Sequence, residues 1–194
     1  LLSDPGIPGF PPVTSLLRTG DHRQTGRLMA GKIDGRRSGS LGHYIIETVT
    51  GNNDSERVIF HDFTIVLFEI DGISKNLGRM HFLARPEDDR KADRHPIPAS
   101  EPLHLESVAL ARRYGMHTSA GIDQILIRRI FSPSFIVWLI EKPPGGFGFE
   151  LEGDHLCCYV TRLLDSADEL DELISASVNV VDRLLDIAGA VSPV

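Results

Sequence analysis

The apolar run Phe135–Ile140 constrains the fold of this 194-residue chain more than any other stretch. Ser132-Pro133 ahead of it is a helix-start signal, because serine caps a first turn and proline there lacks only an N–H that would have no partner. Pro143-Pro144 stops the helix. At about 1.5 Å per residue, a helix over 133–142 spans only about half of a ~30 Å hydrocarbon layer. We therefore predict a core helix, covered on several sides and anchored by Trp138.

Composition excludes two classes of protein. The apolar fraction is 41% and the charged fraction 24%, which is typical of a globular domain. The net charge is −7 and the basic residues form no continuous face, so we exclude a general nucleic-acid-binding role. No stretch reaches the ~18 apolar residues that cross a bilayer.

The only two cysteines, Cys157 and Cys158, are adjacent in sequence. On a strand they point to opposite faces, so we expect one thiol in the core, one at the surface and no disulfide between them. The lack of a disulfide framework favours a reducing, cytoplasmic location.

The first half of the chain predicts strands separated by short turns. Proline and glycine break residues 1–26 into an extended N-terminal segment, which Phe10 could anchor on the domain surface. Short connections between the strands that follow predict an antiparallel meander. These strands cover residues 27–33, 43–49, 58–70 and 80–84.

The second half predicts helices and one hairpin. We expect a short helix from Ser107 that Gly115 ends in a left-handed conformation, and a second helix capped by Asp123. Ser166 and Glu169 form a capping box for a long amphipathic helix that ends at Gly189. The helix capped by Asp123 covers residues 124–130, and the predicted hairpin covers residues 149–160.

These elements predict an α+β fold. An antiparallel sheet of about six to eight strands would pack against the 133–142 helix and the C-terminal helix. We expect one domain over 27–190. Alternatively, subdomains over 27–85 and 103–190 would be joined by an exposed, charged and proline-spaced loop over 86–102.

No catalytic set can be assembled from motifs, and we assign no catalytic, cofactor-binding or metal-binding residue. One cluster stays open as an alternative: His43 and Glu47 share a strand face, and His61 or Glu69 on the next strand could join them in a polar cluster. A metal-assisted hydrolase would use His43, Glu47 and His61. These residues are otherwise ordinary surface polars. The adjacent His61-Asp62 pair does not fit a metal-dependent phosphohydrolase, because that class presents the pair on a helix.

Three stretches resemble a family of uncharacterised bacterial proteins. They are "FHDFTIVLFEI", "LHLESVALARRYGMHTSAGIDQILIRRIFSPSFIVWL" and "FGFELEGDHLCCYV", and the resemblance covers residues 20–188. Members often carry one or two membrane-spanning helices ahead of a soluble domain. The resemblance therefore implies a soluble domain on the cytoplasmic face of a membrane, with the anchor in a region outside this chain. It supplies no catalytic residue.

We expect a non-catalytic interaction or regulatory domain that binds a protein partner or forms a homodimer. Such a domain should leave an apolar patch exposed. The hydrolase above and a small-ligand sensor, with its pocket between sheet and helix, remain the alternatives.

Overall fold

A computed structural model describes residues 9–20, 22–50, 57–73, 77–85 and 101–191. In these ranges eight strands form one antiparallel sheet, in the order β1-β2-β3-β8-β7-β4-β6-β5. The strands are β1 His22–Lys32, β2 Ser38–Thr50, β3 Arg57–Glu69, β4 Met80–Ala84, β5 Glu101–Pro102, β6 Tyr114–Thr118, β7 Phe147–Glu152 and β8 His155–Val160. The helices are α1 Ser15–Arg18, α2 Val108–Arg113, α3 Gln124–Ile130, α4 Pro133–Glu141 and α5 Ala167–Val191.

The α+β prediction is confirmed, but the predicted meander holds only for β1, β2 and β3. The β7–β8 hairpin lies between β3 and β4, so that Thr64 pairs with Val160 and Met80 pairs with Leu151. Both halves of the chain therefore contribute to one continuous sheet. Local turn signals cannot reveal this arrangement, because the inserted hairpin comes from the far end of the chain.

Several strands differ from the prediction, and β2 begins at Ser38, ahead of the predicted strand over 43–49. The strand β1 begins at His22, inside the N-terminal segment that was predicted to be extended, because its polar first residues pair with β2. Gly115 belongs to β6 and ends no helix. Within the predicted 86–102 loop, Glu101–Pro102 forms the short edge strand β5, while residues 86–100 lie outside the described residues.

The predicted caps of α3 and α5 are confirmed. Asp123 Oδ1 accepts the N–H of Ile125 at 2.8 Å. Ser166 Oγ accepts the N–H of Glu169 at 3.3 Å and donates to the Glu169 carboxylate at 2.9 Å. α5 continues through Gly189 to Val191, so the predicted stop at Gly189 is wrong. No described helix combines the length and the apolar character needed to cross a bilayer.

Helix α4 packs against the core over most of its circumference, because Ile136, Trp138 and Ile140 are partly buried there, so the predicted cover on several sides holds except at Val137. Phe135 and Leu139 point into the core, whereas Val137 is 50% exposed. Trp138 is half-buried and stacks on Phe135 with ring centroids 5.4 Å apart. Ser132 provides no side-chain cap, although the helix begins at the predicted proline.

The sheet is covered on both faces. Helices α2 to α5 pack on one face and form the helix-side core, in which Phe82 stacks between Phe131 and Phe149. Residues 9–20, here called the covering segment, pack on the other face and form the segment-side core with Phe10 against Tyr44. The two-sided cover corrects the prediction that one cysteine is at the surface: both thiols are free and buried.

Candidate functional site

Strands β4 and β7 bring three ionisable side chains together beneath the covering segment. His81 pairs with Glu150 across the two strands, and Glu152 follows two residues later on β7. Because side chains alternate along a strand, the three share one face. Their apolar neighbours in sequence face the helix-side core; these are Met80, Phe82, Phe149 and Leu151.

The cluster is sealed from solvent. The exposed fractions of His81, Glu150 and Glu152 are 0%, 1% and 4%. His81 Nδ1 lies 3.5 Å from Glu150 Oε1, and His81 Nε2 lies 3.6 Å from Glu152 Oε1. Both separations exceed the 2.7–3.2 Å range of N–H···O hydrogen bonds. Neither imidazole nitrogen has a hydrogen-bond partner among the described residues.

The covering segment supplies donors to both carboxylates. The backbone N–H of Ser15 donates to Glu152 Oε1 and that of Leu16 to Glu150 Oε2, each at 2.9 Å. The Ser15 hydroxyl donates to Glu152 Oε1, and the Arg18 guanidinium donates to Glu152 Oε2. The N–H groups at the start of a helix have no partner within the helix, so these buried acids satisfy two of them.

Positive charge lies close to Glu152. Burial alone would raise the pKa of this carboxyl, but hydrogen bonds from Ser15 and Arg18 outweigh burial and hold the pKa below its usual value. Arg79 Nε adds a weaker contact at 3.9 Å from Glu152 Oε2. Glu152 is therefore a paired, ionised group, which is how a buried carboxylate is normally tolerated.

The surroundings of the cluster disfavour further charge. His117, the cross-strand neighbour of His81 on β6, has its pKa lowered by burial and then by His81, Arg85 and His104. Burial, and next the charge of Glu150, raise the pKa values of Cys157 and Tyr159 well above their usual range. Because a buried thiol with a raised pKa stays protonated, Cys157 is no nucleophile in this state.

Two chemical roles are open to the cluster. An imidazole nitrogen and two carboxylate oxygens are suitable ligands for a divalent transition metal, and the three groups offer ligand atoms that all lie within 4.8 Å of one another. Alternatively, a protonated His81 could bridge the two carboxylates. Neither role needs a substrate, and a site this deeply buried gives none direct access.

The predicted His43, Glu47 and His61 cluster does not form. His43 pairs with Thr64 and Ile46 pairs with His61, which places His61 on the opposite face of the sheet from His43 and Glu47. His43 Nε2 instead contacts the Leu164 carbonyl at 2.9 Å, and His61 Nε2 contacts Thr48 Oγ1 at 3.2 Å. The hydrolase built on these residues is overturned by the register of β2 and β3.

Sequence reasoning identified the strands of His81, Glu150 and Glu152 but assigned these residues no role. The alternation of Phe149 to Glu152 is typical of a strand with one face in water, so both glutamates are expected to be solvated. A lone histidine between Met80 and Phe82 was the one usable signal, because imidazoles are uncommon in fully apolar surroundings. Their convergence depends on the β4–β7 pairing.

Apart from the buried cluster, the structure has a groove between α4 and α5. This groove has a volume of about 470 Å³ and lies between two helices, not between sheet and helix as the ligand-sensor hypothesis required. On the α4 side the groove is lined by Trp138 and by Lys142, which directly follows the helix. On the α5 side it is lined by polar and acidic side chains: Asp168, Asp171, Glu172, Ser175 and Asn179.

Comparisons with protein families, with curated proteins and with solved structures found no match to this chain.

Proposed function

We propose that this protein is a non-catalytic regulatory or interaction domain and that the covering segment is its regulated element. The observation that carries the proposal is the docking of α1 on two buried acids: the N–H groups of Ser15 and Leu16 bind Glu152 and Glu150. A segment that docks partly through charges can be released by a change in those charges. Its release would uncover the segment-side face of the sheet.

The packing of the covering segment supports a separable unit. Phe10, Leu16 and Leu17 are buried against the sheet, and the Tyr44 hydroxyl donates to the Leu17 carbonyl at 3.0 Å. The helix-side core does not include these side chains. Lifting the segment would therefore leave the helix-side core intact, which is the pattern expected of a locally opening element.

An exposed apolar surface also supports the interaction role. Phe60 is 60% exposed and Val58 46% exposed, and both lie near the start of β3. An interaction domain was expected to leave such residues in water. The placement of the domain on the cytoplasmic face of a membrane, and binding to a protein partner or a second copy, belong to the same proposal and derive from the bacterial resemblance and the composition.

The hydrolase alternative is less well supported by the structure. Its predicted ligands lie on two faces of the sheet, and the metal-ligating residues that do converge are sealed beneath the covering segment. A hydrolase site must admit both substrate and the water that cleaves it.

The two adjacent cysteines allow a direct test of segment opening. Cys157 belongs to the segment-side core and Cys158 to the helix-side core. Single-thiol variants Cys158→Ala and Cys157→Ala would be reacted with a thiol reagent at neutral pH over a series of low urea concentrations. We expect Cys157 to react at least about tenfold faster than Cys158 and with a weaker urea dependence, because local opening exposes less surface than global unfolding.

Arg18→Gln, which removes a donor from the covering segment to Glu152, should raise the labelling rate of Cys157 and leave that of Cys158 unchanged. Asp165→Asn is the matched control, since the Asp165 carboxylate forms an exposed ion pair with Arg27 and should alter neither rate. Equal rates with equal urea dependence at both thiols would show that the segment opens only with the whole domain, and the regulatory proposal would then be wrong.

A further inference from the structure

We infer that His81, Glu150 and Glu152 form a binding site for one divalent transition-metal ion of the Zn²⁺ class. The inference depends on the geometry of the cluster, and it holds whether or not the covering segment opens by itself. It extends the proposed function, because it gives the domain a chemical ligand.

The first argument is the state of His81. Its side chain is completely buried, and both ring nitrogens lack hydrogen-bond partners among the described residues. A buried polar atom without a partner loses its hydration and gains nothing in return, so such atoms are rare in folded proteins. Each nitrogen instead faces a carboxylate oxygen from a distance too long for a hydrogen bond.

The second argument is the spacing of the donors. Two ligands about 2.1 Å from a tetrahedral ion lie about 3.4 Å from each other. The His81 Nδ1–Glu150 contact of 3.5 Å and the Nε2–Glu152 contact of 3.6 Å are each close to that separation, and one of the two would become a ligand–ligand distance, because a single ion binds one ring nitrogen. The ion would take one imidazole nitrogen and one oxygen from each glutamate. These atoms spread over as much as 4.8 Å, so binding would draw the widest pair together by up to about 1.4 Å.

The third argument is charge. Two carboxylates balance the charge of a divalent cation, which lowers the penalty for burying the acids. The imidazole nitrogen that does not bind the ion would face a carboxylate, as in metal sites where the second N–H orients the ring. The fourth ligand would be a water molecule or the Ser15 hydroxyl, which already contacts Glu152.

The donor set selects among metals. A mixed imidazole and carboxylate set is suitable for Zn²⁺ and its neighbours, whereas Mg²⁺ retains several waters and Ca²⁺ takes six to eight oxygens. A sealed site with three protein donors has no room for such a hydrated or oxygen-rich shell. Zn²⁺ is therefore the first probe and Mg²⁺ the negative one.

The test uses the full chain, stripped with a chelator in urea and refolded with or without ZnCl₂, so that the sealed site is loaded during folding. We expect about one zinc per chain after gel filtration and a rise of several degrees in the unfolding midpoint, with no rise in MgCl₂. Co²⁺ in place of Zn²⁺ should give visible absorption bands of a low-coordinate site.

Variants assign the bound metal to this cluster. His81→Ala and the more conservative Glu150→Gln should each lower the stoichiometry well below one and remove the zinc-dependent rise, and circular dichroism would verify that they fold. His22→Gln is the control, because His22 is exposed on β1 and its loss should change nothing. The inference is overturned if the wild-type chain binds no stoichiometric zinc, if both cluster variants retain it, or if His22→Gln loses it.

Discussion

At Gly148 the backbone of β7 lies directly against the ring of Tyr159. A Cβ built at this position would lie 2.6 Å from the Tyr159 ring and 2.8 Å from the carbonyl oxygen of Phe82. The carbonyl belongs to the paired strand β4 and cannot move without disturbing the sheet. This close approach explains why a strand interior tolerates a residue that would otherwise weaken it.

We predict that Gly148→Ala lowers the free energy of unfolding by about 2 kcal/mol, because overpacking of a closed core forces strand or ring to shift. Urea unfolding of the purified variant measures the change. Gly145→Ala is the control, since nothing lies within 4 Å of a Cβ there and its stability should match the wild type. Equal stability of both variants would mean that β4 and β7 can separate without penalty.

Residue roles set by near neighbours in sequence could be predicted, and roles set by distant ones could not. Asp123 and Ser166 cap helices through N–H groups two or three residues away, and both caps are present. His81 acquires its role from two acids on a strand that follows much later in the chain. The candidate site was therefore beyond sequence reasoning, even though its strands were identified.

For helix α4, the sequence predicts where the helix begins and ends but not which of its sides is buried. Its bounds follow from prolines, and these signals were sufficient. Its apolar residues all around gave no indication of which side is buried, because hydrophobic periodicity needs a polar face for contrast. The structure buries Leu139 completely and leaves Val137 half exposed.

We predict that Leu139→Ala lowers the free energy of unfolding by about 3 kcal/mol, since it removes buried methyl groups and leaves a cavity. Val137→Ala should change it by less than about 0.5 kcal/mol, because surface changes have small effects. Thermal and urea unfolding of the two variants provide the comparison. A larger loss for Val137→Ala would mean that a different side of α4 faces the core.

The turn between β1 and β2 is held by a charge. Asp34 Oδ1 accepts the backbone N–H groups of Arg37 and Arg36 at 2.8 and 3.0 Å. The bond from Arg37 is the main cause that lowers the pKa of Asp34, against the opposing effect of burial. Arg37 also contacts Asp182 on α5, which ties this turn to the C-terminal helix.

The pKa of Asp34 is lower in the folded protein than in the unfolded chain, where it is about 3.9. The ionised Asp34 carboxylate therefore stabilises the folded state fully above about pH 3.9, and this contribution is lost as the pH falls through the folded-state pKa. We predict that Asp34→Asn lowers the free energy of unfolding by about 0.5 kcal/mol at pH 7. The deficit should vanish at acidic pH, where the wild-type carboxyl is also neutral. Urea unfolding over a pH series tests this. If Asp34→Asn were still less stable than the wild type at acidic pH, the loss of stability would come from a change in side-chain shape and not from the lost charge.

In the molecule as a whole, the two faces of the sheet are covered by different kinds of structure. Helices cover one face, as the amphipathic pattern of the C-terminal helix predicted. The other face is covered by residues 9–20, in a proline-rich stretch whose sequence shows no periodicity. Its contribution could not be predicted because it depends on a few separate anchors, chiefly Phe10, Leu16 and Leu17, and on the acids beneath them.

Deleting residues 1–20 should therefore damage the segment-side face selectively. Burial of the Phe10, Leu16 and Leu17 side chains contributes about 2 kcal/mol each, and this contribution is lost from the segment-side core, whereas the helix-side core keeps its contacts. We predict a truncated chain that binds a hydrophobic dye, self-associates and reacts rapidly with thiol reagents at Cys157. Cys158 should stay protected for as long as α5 remains packed.

Mass spectrometry of the labelled truncation distinguishes the two thiols, and sedimentation measures association. The Leu16→Ala variant of the full chain is the graded comparison: it should show intermediate labelling of Cys157 without association. If the truncated chain stayed monomeric, bound no dye and kept Cys157 unreactive, the sheet would need no second cover. The covering segment would then add nothing to the fold, and its docking on the two buried acids could not regulate access to this face.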